Sequence, residues 1–111
     1  MQRETIKKTF TLRGVEHEVY FREMSVLQTQ KLLRGQKMTL DADGKAKAEV
    51  DYGAEYDRSL LQVQLTLTDA DGRQVYDNIQ QLQNLPQAYV AQLIKAAKEA
   101  ERHFARVDEG N

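Results

Sequence analysis

The sequence predicts a single α+β domain over residues 1–111, in which an N-terminal β-hairpin packs on a small bundle of three to four helices. Three observations predict it. Residues 5–22 alternate apolar and polar side chains around a glycine turn, the mark of a half-buried ribbon. Residues 85–106 carry one broad apolar stripe at helical spacing. Between them lie helix-start signals at Ser25, Asn78 and Asn84.

In the hairpin, Ile6, Phe10 and Leu12 alternate with Lys7 and Thr11. After the turn, Val15, His17, Val19 and Phe21 alternate with Glu16, Glu18, Tyr20 and Arg22. The reversal falls at Arg13-Gly14, where glycine takes positive φ without steric cost. An isolated hairpin is marginal in water, so its apolar face needs a cover, and the helices that follow supply one.

Ser25 and Gln28 have capping-box spacing, in which each side chain satisfies a main-chain N–H at a helix start. The helix then covers about residues 26–34, closed by Gly35. Its apolar residues, Val26, Leu27, Leu32 and Leu33, are too scattered to form a narrow stripe. Residues 36–51 are small, charged and rich in turn formers, and read as a flexible loop.

The segment 54–68 fits two periods. LQVQLTLT alternates strictly, as a strand does, while Tyr56, Leu60, Val63 and Leu67 also share one helical face. Asp71-Gly72 makes a turn under either reading.

In the last third, Asn78 with Gln81 and Asn84 with Gln87 have N-cap spacing. Pro86 is tolerated in a first helical turn, where its missing N–H has no intrahelical duty. Tyr89, Val90, Leu93, Ile94, Ala97, Ala100 and Phe104 form the stripe of a helix over about 85–106. Lys95, Lys98, Glu99, Arg102 and Arg106 lie opposite, and the closing VDEGN is expected to fray.

Composition narrows the class of function. With 41% hydrophobic and 30% charged residues, this is the mixture of a soluble globular domain. No run of 18 apolar residues exists to span a bilayer, and MQRETIKKTF lacks the apolar stretch of a secretory signal. The expected location is the cytoplasm. The absence of cysteine excludes disulfides and thiolate chemistry. A net charge of −1, with Lys7–Lys8 as the basic run, argues against nucleic acid as a partner.

Candidate chemistry is sparse. DADG occurs at Asp41–Gly44 and again at Asp69–Gly72, but neither copy has the glycine or the twelfth-position glutamate of an EF-hand. Both read as turns. His17 is expected to pack beside Phe10, and His103 to sit in solvent. Ser25 has a capping role and Ser59 lacks nucleophile-elbow glycines. We therefore expect no catalytic residue, no metal and no cofactor. The apolar stripe of the last helix is core by default. Under a functional reading, part of it, with Tyr89 or Phe104, engages a partner helix.

From Val19 onward three segments carry a family resemblance: VYFREMSVLQTQKLL, LLQVQLTLTDADGRQVYDN and LQNLPQAYVAQLIKAA. In Arg22-Glu23-Met24-Ser25, in Asp69, Asp71, Gly72 and Tyr76, and in Leu82, Leu85, Val90 and Leu93, the chain resembles the tail assembly chaperones of long-tailed bacteriophages. The resemblance covers about four-fifths of the chain, through loose patterns rather than catalytic signatures. The loop 36–51 is longer than that family leads one to expect.

The resemblance implies a mostly helical fold, with 54–68 tipped towards helix. It implies a non-enzymatic protein that coats the tape-measure protein, keeps it soluble in the host cytoplasm, and helps recruit tail-tube subunits. A holdase of this kind often self-associates, and many members are also made in a longer form by ribosomal frameshifting. The expected contact residues are Tyr56, Leu60, Val63, Leu67, Tyr89, Leu93 and Phe104. The rival expectations are a structural virion subunit, such as a head–tail connector or tail-completion protein, and a small cytosolic regulatory binding protein.

Overall fold

Two eight-residue strands, β1 (Thr5–Leu12) and β2 (Val15–Arg22), pair antiparallel from Thr5↔Arg22 to Leu12↔Val15. The computed structural model describes residues 3–34, 39–40, 46–47 and 52–109. Arg13 (φ 52°) and Gly14 (φ 79°) are both left-handed, as a two-residue hairpin turn of type I′ requires. Arginine adopts this conformation at a steric cost that glycine avoids. Ile6, Lys8, Phe10 and Leu12 turn inward from β1, and His17, Val19 and Phe21 from β2. Val15, expected on the apolar side, is 56% exposed.

The reason lies in how the last helix crosses the hairpin. This helix, α4 (Gln87–Glu109), meets Phe10 through Tyr89, Lys8 through Glu99, and Glu4 through His103. Six residues of strand rise about 20 Å and fourteen of helix about 21 Å, so α4 runs antiparallel to β1 in near register. Tyr89 lies in the first turn of α4, and the hairpin tip projects beyond it.

At the end of β2 the chain enters α1 (Val26–Arg34) through the capping box expected there. The Gln28 N–H donates to Ser25 Oγ at 3.2 Å, and the Ser25 N–H donates to Gln28 Oε1 at 3.1 Å. Gln28 also holds the helix in place, since its Nε2 donates to the Leu65 carbonyl at 3.1 Å while its Oε1 accepts from Arg3. Gly35 lies outside the described residues. So does most of the expected loop 36–51, apart from two short strands, β3 (Thr39–Leu40) and β4 (Ala46–Lys47), which pair antiparallel.

The ambiguous segment is helix first and strand last. Residues Tyr52–Thr66 form α2, and Leu67–Thr68 form β5, which pairs with β2 through Phe21↔Leu67 and Tyr20↔Thr68. The sheet order is therefore β1-β2-β5. Gln62 and Gln64, polar in an alternating pattern, are both buried. Each is satisfied: Gln62 Nε2 donates to Glu101 Oε2 at 2.8 Å, and Gln64 Nε2 to the Tyr76 carbonyl at 3.1 Å. Buried amides need such partners, and these two tie α2 to its neighbours.

The second DADG is a turn. Asp69 Oδ1 accepts from the N–H groups of Asp71 and Arg73, both at 2.9 Å, and Gly72 takes φ 84°. The first copy lies outside the described residues. Beyond the turn, Gln74 bridges Thr68, and the Val75 N–H donates to the Leu67 carbonyl, so the chain covers the β5 edge itself.

The short helix α3 (Ile79–Gln83) begins at Asn78, whose side chain accepts from the Gln81 N–H. Asn84 departs from expectation: it ends α3 instead of starting α4, its Nδ2 donating to the Gln80 carbonyl at 3.0 Å. Pro86 takes over at α4, its carbonyl accepting from the N–H groups of Tyr89 and Val90. The helix then continues to Glu109, past the expected end and into the segment expected to fray.

The core joins β2, α2, β5, α3 and α4, with Ile6 and Phe10 of β1 packed against it. Val19 and Phe21 of β2 meet Leu60 and Val63 of α2, Leu67 of β5, Leu82 of α3, and Val90, Leu93, Ala96, Ala97, Ala100 and Phe104 of α4. The fold is α+β, a small antiparallel sheet with helices on one face.

Candidate functional site

Every apolar residue expected to contact a partner belongs to a regular stripe, and regular stripes are what a core uses. The structure places five of the seven inside. Leu60 is 2% exposed, Val63 0%, Leu67 3%, Leu93 0% and Phe104 9%. They pack together in the core and present little surface in this fold. Tyr89 is half-buried, and Tyr56, at 44% exposure, is the one of the seven that is exposed.

Among the described residues, α1 carries three of the six exposed large apolar side chains. None of its residues is buried, and it presents Val26 (77% exposed), Leu27 (58%) and Leu33 (57%) to solvent. Val26 and Leu33 stand seven residues apart, two turns along one face and about 10 Å from each other. Leu27 projects separately. Leu32, Leu33 and Val26 fall on one side of this helix, and periodicity does not say whether that side is covered.

Two grooves flank α1. One, of about 550 Å³, runs between α1, α2 and α4 and is lined by Leu32 and Leu33 together with Glu55, Arg58, Lys98 and Arg102. The other, of about 650 Å³, lies between α1, α2 and α3 and includes Leu32, Leu61, Asp57 and Ile79. Apolar side chains ringed by both signs of charge suit an amphipathic protein segment better than a single-charge ligand.

A smaller, partly open pocket of about 150 Å³ is lined by Phe21, Met24, Thr66, Ala97, Ala100 and Phe104. Pockets that enclose drug-sized ligands start at roughly 300 Å³, so this one reads as imperfect packing where α1 meets the core.

The histidines take structural positions. His17 stacks on Phe10 with ring centroids 5.1 Å apart, and Tyr89 meets both rings at an angle. His103 Nε2 lies 3.6 Å from Glu4 Oε1, and the ring meets Phe104 edge-on. Among the described residues no group of three or more His, Asp or Glu side chains is placed to hold a metal ion. No helix among them is long and apolar enough to cross a membrane.

Tyr89 titrates abnormally. Burial pushes its phenol above the usual value, and the neighbouring Tyr76 adds to the shift. A raised folded value means that the unfolded chain holds tyrosinate more readily. The contribution to stability is therefore intact below the ordinary tyrosine value of about 10 and is lost as pH rises through and above it. Thermal unfolding between pH 8 and pH 11 is expected to show this loss, and Tyr89→Phe to reduce its slope. Parallel curves for the two proteins would contradict the assignment.

Comparisons with protein-family models, with curated proteins and with solved structures found no match to this chain.

Proposed function

We propose that this protein is a tail assembly chaperone of a tailed bacteriophage or prophage, which binds the tape-measure protein and keeps it soluble in the bacterial cytoplasm during assembly. The observation that carries the reading is the exposed apolar face of α1, with Val26, Leu27 and Leu33 beside two charge-rimmed grooves. A holdase needs apolar surface that its own core leaves unused, and a polar surround that keeps it dissolved. The tape-measure protein is the proposed client, with tail-tube subunits recruited to the same complex. No catalytic residue or cofactor is needed for reversible binding of this kind.

The contact set moves accordingly. The stripe residues Leu60, Val63, Leu67, Leu93 and Phe104 hold the fold, and the proposed client surface is Val26, Leu27, Leu32, Leu33 and Tyr56. An amphipathic client helix laid against α1 would set its apolar side chains on Val26 and Leu33 and its charges among Glu55, Arg58, Lys98 and Arg102.

The test is suppression of tape-measure aggregation, followed by light scattering. The double variant Val26→Ser, Leu33→Ser is expected to need about tenfold more protein for equal suppression. Its own stability should change by no more than about 0.5 kcal/mol per site, because both positions are exposed. Equal suppression by the double variant would remove α1 from the mechanism. Detection of the protein in purified particles would instead favour a structural virion subunit.

A further inference from the structure

The two edges of the main sheet are treated differently by the chain. One edge is β5, only two residues long, and it is covered by the segment that follows it, through the Thr68↔Gln74 bridge and the Val75 N–H on the Leu67 carbonyl. The other edge is β1, eight residues long, and among the described residues no strand pairs with its outer side.

Which main-chain groups are open follows from the register. The Glu23 N–H donates to the Glu4 carbonyl at 2.8 Å, which makes Glu4 and Glu23 a hydrogen-bonded pair one step beyond Thr5↔Arg22. Antiparallel pairing alternates, so Ile6, Lys8, Phe10 and Leu12 direct their N–H and C=O groups to β2. Thr5, Lys7, Thr9 and Thr11 direct theirs outward. The side chains of these four are exposed, and three are β-branched threonines, which favour an extended backbone.

Natural sheets guard such edges with lysine, and β1 carries two. Here both are already engaged: Lys7 Nζ lies 3.5 Å from Glu18 Oε1, and Lys8 Nζ lies 3.2 Å from Glu99 Oε2. The edge is long, β-prone and locally neutralised.

We propose that two copies of this chain associate edge to edge through β1, antiparallel about a twofold axis at Thr9, to form one continuous six-stranded sheet. Among the self-pairings that set outward residues against each other, those centred on Lys7 or Lys8 place lysine opposite lysine, and that centred on Phe10 pairs fewer residues and places Lys7 opposite Arg13 of the second copy. Like charges directly opposite destabilise a sheet. Centring the axis on Thr9 avoids all of these. It sets Lys7 against Thr11, Lys8 against Phe10 and Ile6 against Leu12 of the second copy, with Thr9 against Thr9. Lysines then face no lysines, and apolar residues of the helix-covered face meet across the junction. This association is independent of the chaperone reading and of the α1 surface.

The chain contains no cysteine, so a single Thr9→Cys reports the register directly. In a hydrogen-bonded antiparallel pair the two Cα atoms lie about 5.5 Å apart, within disulfide range. In a thiol–disulfide buffer this variant is expected to form an intermolecular disulfide. Thr5→Cys should not, because its two copies would lie about 27 Å apart.

Sedimentation of the unmodified protein should show a concentration-dependent dimer. Thr9→Lys should weaken it about tenfold, and mixing Thr9→Lys with Thr9→Glu should restore it. Each variant lies on an exposed position, and an unchanged melting curve verifies the monomer fold. A monomer at every concentration overturns the proposal. So does a dimer indifferent to Thr9 changes, or one that cross-links at Thr5 as readily as at Thr9.

Discussion

Replacing Phe21 by alanine is expected to lower the unfolding free energy by about 3–5 kcal/mol, a large share of the roughly 5–15 kcal/mol that holds a domain of this kind. Phe21 is completely buried and stands at the centre of the sheet, opposite Ile6 of β1 on one side and Leu67 of β5 on the other. It also lines the pocket of about 150 Å³ beside Met24, which truncation would enlarge. Residual cavity volume is what raises the cost of such a change above simple transfer. Urea unfolding followed by circular dichroism measures it. A loss below about 1 kcal/mol would mean that the hairpin is not packed on its helices as described.

Leu82→Ala is expected to cost about 2–4 kcal/mol, and to act locally as well as globally. The five-residue helix α3 has one buried residue, Leu82, at 1% exposure. A helix this short does not form alone, because nucleation is unfavourable and few residues remain to repay it. Asn78 and Asn84 satisfy its ends, but they cannot dock it. Hydrogen exchange should therefore show amides of residues 79–85 opening well before the core amides of β2 and α4 in this variant. Uniform loss of protection across the chain would show instead that α3 is an integral part of the cooperative unit.

The difference between these two sites reflects how much of each was legible beforehand. Phe21 belongs to an alternation that runs for a whole strand, and Leu93 to a stripe that runs for a whole helix. Long patterns average out local exceptions, and the hairpin and α4 follow from them, while the Arg13-Gly14 turn and the Ser25–Gln28 capping box follow from residue types a few positions apart. The caps of α3 and α4 were harder. Asn84 with Gln87 has the same spacing as Asn78 with Gln81, yet Asn84 closes one helix and Pro86 supplies the carbonyl that starts the next. Spacing cannot separate these roles, because the same side chain can accept at a helix start or donate at a helix end.

The candidate surface was not legible in periodicity. Tyr56, Leu60, Val63 and Leu67 fall on one helical face, and Tyr89, Leu93 and Phe104 on another, which made them conspicuous. The same regularity sent most of them inward. Val26, Leu27 and Leu33 were inconspicuous because they share no narrow stripe, and the structure leaves them exposed on a helix with no buried residue.

The sequence by itself determined the local units: where the hairpin reverses, where α1 begins, that residues 85–106 form an amphipathic helix, and that no cysteine or metal-binding spacing is present. Each of these rests on neighbours within a few residues, where backbone sterics and periodicity act. Tertiary structure alone decided the rest. It ended α2 at Thr66 and turned Leu67–Thr68 into a strand, because the free edge of β2 offers main-chain hydrogen bonds that a further helical turn would leave unmade. It chose which apolar faces became core and left α1 and the β1 edge outside. Burial depends on what lies opposite in space, and periodicity along the chain does not specify the opposite surface.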